Sequence, residues 1–155
     1  MKYKLIALLI SLVFINACGF DDDDQVPDFT ESNEQEIMDY IAANNLDAER
    51  TDSGLYFVIN EQGTGEKPVS SSNVTVVYKG YFTDGEVFDQ SDENGLSFGL
   101  NQVIAGWSEG IPKFNEGGSG ILLIPSSLGY GPFGIPGIPG GAVLIFDVEL
   151  LSINN

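Results

Sequence analysis

Val103-Ile104-Ala105-Gly106-Trp107-Ser108-Glu109-Gly110-Ile111-Pro112-Lys113-Phe114 is a short helical stretch set among segments that otherwise read as strands and turns. The helix is expected from Trp107 to Phe114, with an early end at Pro112, whose nitrogen has no hydrogen to give the carbonyl of residue 108. After it, Gly120 to Ile124 and Ala142 to Leu151 have strand composition. Before it, strands are expected at Thr51 to Asn60, around Leu55-Tyr56-Phe57-Val58-Ile59, at Asn73 to Phe82 and at Leu96 to Leu100. Thr83-Asp84-Gly85 reads as a hairpin reversal with Gly at a position of positive φ, and Gly63-Thr64-Gly65 with Pro68 marks another turn. With 19 Gly and 7 Pro in 155 residues, the chain has one domain's length and a strand-rich α+β composition.

The N-terminal third differs. Met1 to Ala17 has a basic start, an apolar run from Leu5 to Ile15 and small residues before Cys18. The run is shorter than the roughly 20 residues that span a bilayer, so residues 1–17 are expected to be a signal peptide. Cys18 is the only cysteine and stands at the cleavage point, in Ile15-Asn16-Ala17-Cys18, which resembles the bacterial lipobox. A lipid-modified Cys18 is preferred to an ordinary secretory leader, since a secreted domain seldom keeps one unpaired thiol. Residues 18–30 are expected to be a lipidated acidic tether, because Asp21 to Asp24 repel one another and cannot pack. An acidic run after such a cysteine also resembles the surface-export signal of Bacteroidetes lipoproteins. A plain spacer is the alternative for the acidic run, so the expected location is the cell envelope, lipid-anchored at the outer membrane and facing either the periplasm or the surface.

Residues 31–50 form a helical extension, with the helix itself expected from Ser32 to about Asn45. Ile37, Tyr40 and Ile41 recur at helical offsets, and Ser32 with Gln35, or Asn33 with Glu36, can form a capping box. The narrow apolar stripe either packs on the domain, the preferred reading, or drives weak dimerisation.

Charge limits the partners. The formal net charge is −17, and removal of Lys2 and Lys4 with the leader leaves four cations against 23 acids, or −19. That balance opposes nucleic-acid binding, which needs Lys and Arg to displace counterions.

Between Tyr78 and Phe146 the chain spaces out Tyr78, Phe88-Asp89, Val103-Ile104-Ala105-Gly106-Trp107, Tyr130-Gly131, Ile138 and Phe146 on a glycine-rich frame. The set describes an apolar pocket with one fixed charge, Asp89. The chain has no His, and its acids show no EF-hand or other metal spacing, so neither metal nor cofactor is expected. Simpler roles exist for each residue: Trp107, Val103 and Phe146 as core, Asp89 as a turn-capping acid, Gly129-Tyr130-Gly131 as a plain turn, Asp147 and Glu149 as a solvated strand face.

From about Ser53 to Asn155 these pieces together resemble an FKBP-type peptidyl-prolyl isomerase, the macrolide-binding family. The resemblance rests on Gly54-Leu55-Tyr56, Gly63-Thr64-Gly65, Tyr78-Lys79-Gly80, Asp84-Gly85, Phe88-Asp89, Val103 to Trp107 with Glu109-Gly110, Gly129-Tyr130-Gly131, Ile138-Pro139 and Phe146 to Leu150, in that order. It implies an FKBP-like antiparallel half-barrel wrapped around one short helix, occupying residues 51–155, and X-Pro rotation in exported or envelope proteins. It also implies proline-containing clients and, as inhibitors, macrolides. Trp107 would floor the pocket, with Tyr78, Phe88, Val103, Ile104 and Phe146 as walls and Ile138 at the edge. The Ile104 N–H and the Tyr130 hydroxyl would hold substrate oxygens, and Asp89 would lie beside the rotating carbonyl. One departure stands out: many relatives carry an Arg after the Phe-Asp pair, where this chain has Ser91-Asp92-Glu93-Asn94. The alternative reading is a weakly active or inactive binding or chaperone module in an envelope machine, similar to gliding-motility-associated lipoproteins of the family.

Overall fold

The computed structural model describes residues 25–154. The leader, Cys18 and the acidic run lie outside the described residues. Helix α1 spans Thr30–Asn44, and the strands are β1 (Glu49–Arg50), β2 (Tyr56–Glu61), β3 (Asn73–Tyr81), β4 (Val87–Gln90), β5 (Leu96–Gly99), β6 (Ser119–Ile124) and β7 (Leu144–Ile153), with α2 (Ala105–Gly110) between β5 and β6. All strands pair antiparallel in one sheet of order β1-β2-β6-β7-β3-β4, with β5 also on β3. β4 and β5 share the same partner: Lys79–Tyr81 of β3 pair with β4, and Asn73–Val76 with β5. The edge is thus one interrupted strand. At the break, Ser91 replaces the ladder around Tyr78, giving its N–H to the Tyr78 carbonyl and accepting the Tyr78 N–H on Oγ, both at 3.0 Å.

Period-2 alternation sorts β6 and β7 between two cores. Leu122 faces Phe146 in register, and Leu123 faces Ile145, so each pair shares a side of the sheet. On one side Leu55, Phe57, Val74, Val76, Leu122, Ile124, Phe146, Val148 and Leu150 close over Trp107, Ile111 and Phe114. On the other, Ile37 of α1 meets Tyr56, Val58, Leu123 and Val143. The sheet is therefore covered on both faces, and α1 packs on the domain.

Several local expectations shift. α1 starts at Thr30 rather than Ser32, and no capping box forms: the residue before the helix is Phe29, and Asp28 Oδ1 takes the Thr30 N–H at 2.9 Å. Asn33 is drawn inward instead. α2 begins two residues before Trp107 and ends at Gly110, with Pro112 in the one-turn 3-10 helix Ile111–Lys113 that follows, a position where a missing N–H costs less. β7 starts and ends two residues later along the chain than the expected strand, and β4 is a strand where the sequence shows only a motif. The hairpin turn is as expected, with Gly85 at φ 90° and its N–H on the Phe82 carbonyl.

α2 reaches the sheet through two glycines one turn apart. A Cβ on Gly106 would come within 2.5 Å of the Ile124 side chain, and one on Gly110 within 2.7 Å of Leu122. Ile124 and Leu122 are fully buried and lie in the same strand, so neither can retreat. Gly106→Ala is expected to lower the unfolding free energy by about 1–3 kcal/mol, as overpacking does, measured by urea denaturation; an unchanged midpoint would contradict this close approach.

Candidate active site

α2 holds Trp107 pointing into the hydrophobic core, 5% exposed, with three aromatic rings about it. Its centroid lies 5.0 Å from Tyr78, 5.1 Å from Phe146 and 5.2 Å from Phe98, the first two nearly perpendicular at 88° and 86°. Edge-to-face contact places positive ring edges against negative faces. Phe146 joins this group to Phe88, 5.5 Å away at 87°. Gly80 sits opposite both Asp89 and Phe146 in register, and a Cβ there would fall 2.7 Å from the Phe146 ring and 2.8 Å from Phe88. The missing side chain is what lets the two rings close over β3.

These rings bound a cavity of about 610 Å³. Its lining brings together all nine residues singled out in the sequence: Tyr78, Phe88, Asp89, Val103, Ile104, Trp107, Tyr130, Ile138 and Phe146. It also includes Leu96, Phe98, Gln102 and the segment Ile135-Pro136-Gly137. Phe98 was missed because β5 is too short to show an alternation; its aromatic character next to Leu100 was the available signal. Leu96 and Ile135 are 52% and 46% exposed, and Phe133 on the same loop is 77% exposed, so the mouth is apolar as well as the floor.

The polar groups are few. Asp89 lies in β4, not in a turn, and its Oδ2 accepts the Tyr78 hydroxyl at 2.7 Å. A turn-capping role is thereby replaced by a cross-strand pair. Among the described residues the ion pair is Arg50 with Glu34 at 3.1 Å, so the neutral Tyr78 phenol, rather than a cation, is the partner of Asp89. The Ile104 N–H, just before α2, and the Tyr130 hydroxyl meet no acceptor among the described residues. The Trp107 Nε1 is buried with no hydrogen-bond partner. No group of three or more His, Cys, Asp or Glu among the described residues is arranged to hold a metal ion. The site offers shape, apolar surface and a few unspent donors.

Residues 64–151 match the family model described as FKBP-type peptidyl-prolyl cis-trans isomerase. The chain belongs to this family. Among curated FKBP relatives, FkpA of Escherichia coli K12 is 48% identical over 103 residues, covering 65% of this chain and 38% of that protein. FkpA of Aeromonas hydrophila is 43% identical over 125 residues, 78% of this chain and 47% of the relative. The chain thus spans less than half the length of these curated relatives. The crystal structure of Escherichia coli FkpA superposes with a TM-score of 0.73 at 38% identity, covering 81% of this chain and 60% of that one. The expected FKBP-like antiparallel sheet around a short helix is the observed fold.

Burial raises the pKa of the Tyr78 hydroxyl well above its ordinary 10.0, and the bond to Asp89, the Asp89 charge and nearby Tyr130 add to the rise. Burial, then the Asp89 charge, also raises Tyr130. A raised phenol pKa contributes stability that is fully present below about pH 10 and is lost as pH climbs through the folded value. Tyr78→Phe should therefore flatten the loss of stability between about pH 9.5 and 11, read from urea midpoints; equal slopes in both proteins would contradict the raised pKa of the buried Tyr78 hydroxyl.

Proposed function

We propose that the cavity binds X-Pro segments of polypeptides and catalyses their cis-trans rotation, assisting the folding of exported or envelope proteins. The observation that carries this reading is the aromatic enclosure of about 610 Å³ floored by Trp107, in a chain of the FKBP family. A planar amide owes its barrier of ~18–20 kcal/mol to resonance, which separates charge between oxygen and nitrogen. Twisting removes that separation. An apolar cavity favours the less polar twisted form relative to the planar one, so differential binding lowers the barrier without nucleophile, metal or general base.

Trp107 lies under the prolyl ring, with Tyr78, Phe88, Val103 and Phe146 around it and Ile138 at the edge. The free Ile104 N–H and Tyr130 hydroxyl take substrate oxygens. Asp89, held by Tyr78, faces the rotating carbonyl as an orienting carboxylate. Macrolide inhibitors fit the same cavity as competitors of the prolyl segment. The exposed Leu96 and Ile135 around the mouth, with Phe133 two residues before Ile135 in the same apolar loop, favour an apolar residue before proline. A second reading, a binding module with little turnover, draws support from the tyrosine in place of a cation beside Asp89.

A conformer-resolved assay on Leu-Pro and Glu-Pro peptides separates the two. Turnover is expected on both, faster on Leu-Pro, and Tyr130→Phe should lower kcat/KM about 2- to 10-fold, the worth of one hydrogen bond. Absence of acceleration by the wild-type chain would end the isomerase reading, and equal rates on the two peptides would end the apolar preference.

The leader and the Cys18 sequence support anchoring in the envelope through lipid, with residues 18–30 as the acidic tether and residues 31–50 linking it to the isomerase domain at 51–155. Cys18→Ser is expected to move the protein from the membrane to the soluble fraction; retention in the membrane fraction would count against lipid anchoring.

A further inference from the structure

The segment from Ser126 to Gly141 carries Tyr130 and Ile138 along the rim of the cavity. Two backbone bonds tie together three points of it, Ser126, Gly131 and Gly141: the Gly131 N–H donates to the Ser126 carbonyl at 2.8 Å, and the Gly141 N–H to the Gly131 carbonyl at 3.0 Å. The first and last of these points are joined again from outside the loop. Asn33, in the first turns of α1, accepts the Ser126 N–H on Oδ1 at 2.7 Å and donates from Nδ2 to the Gly141 carbonyl at 2.8 Å.

Asn33 is 2% exposed. Asparagine is a poor choice inside a helix, and burying its amide is costly unless its groups are bonded. Here the side-chain carbonyl and the side-chain amide NH2 each bond to the loop, while the helix backbone proceeds independently through the Asn33 backbone N–H to the Phe29 carbonyl at 2.8 Å. The Phe29 ring occupies the space that a Cβ on Gly141 would fill, and Gly141 has φ 76°, so a second α1-side group fits the same end of the loop. Ile37, one turn further on, belongs to a different cluster with Tyr56, Val58, Leu123 and Val143, none of them in the loop.

We propose that Asn33 is a positioning residue for the cavity, and that α1 acts through it to hold the Tyr130 and Ile138 loop in its binding geometry. It touches no substrate. Its effect on turnover rests on the isomerase reading, whereas its effect on the loop does not.

The test uses the full chain as wild type, Asn33→Ala and Ile37→Ala, well below their unfolding temperatures. Amide hydrogen exchange at Gly131 and Gly141 and KM for a Leu-Pro peptide are measured with each thermal midpoint. Asn33→Ala is expected to speed exchange at those two amides about tenfold relative to sheet amides and to raise KM about 5- to 10-fold, more than it lowers kcat. Ile37→Ala is expected to lower the thermal midpoint at least as far while leaving loop exchange and KM unchanged. Wild-type exchange and KM in Asn33→Ala, or an equal rise in KM in Ile37→Ala, would overturn the proposal. A wild-type chain without turnover would remove the isomerase reading alone, and loop exchange in the two variants would still decide whether Asn33 holds the loop.

Discussion

The close approach of α2 to β6 is the constraint from which the rest of the site follows. Gly106 and Gly110 leave the helix with no side chain on the side that meets Ile124 and Leu122, and Trp107, next to Gly106, is carried into the ring of Tyr78, Phe98 and Phe146. A helix held farther out would lift the indole away from its three neighbours and open the cavity floor. Dense interiors transmit such a shift, because side chains already fill their space. Gly80 and Gly120 play the same part on the sheet: the first admits Phe88 and Phe146, the second the Phe114 ring at 2.6 Å from where its Cβ would be. In this domain the glycines determine where the aromatic rings go.

The electrostatics of the site are correspondingly sparse. One carboxylate faces the cavity, and its partner is a phenol whose own ionisation is suppressed by burial. Such a pair keeps Asp89 oriented without adding a positive field, which suits the proposed amide rotation, whose transition state has less charge separation than its ground state. The Tyr130 hydroxyl and the Ile104 N–H stay unbonded among the described residues, as the proposed carbonyl contacts require.

The opposite face of the sheet is no inert backing. Tyr56 donates its hydroxyl to Glu34 at 2.6 Å, Arg50 pairs with the same carboxylate at 3.1 Å, and the guanidinium lies 5.8 Å from the Tyr56 ring centroid. The Tyr56 bond lowers the Glu34 pKa most, burial opposes it, and the bond and charge of Arg50 each add a smaller lowering. These groups bind α1 to β1 and β2, and Asn33 reaches the rim of the cavity from the first turns of the same helix. The two faces of the sheet are mechanically connected at that point.

Much of this was readable along the chain. The strand composition of β2, β3, β6 and β7, the short helix cut off near Pro112 and the spaced aromatic set are local patterns, and they contained the strand-rich fold and nine of the cavity-lining residues. What could not be read there depends on register and on approach between distant segments. β4 has too few buried positions to announce itself and exists because β3 offers it an edge. Asp89 looked like a turn cap or a charge lacking its Arg until the Gly80–Asp89 pairing brought Tyr78 to it. Asn33 matched a capping signal by local spacing, yet lies 93 and 108 residues from the two groups it bonds. Periodicity tells which side of an element is apolar; only the assembled sheet decides which polar atoms from separate segments come within 3 Å of one another.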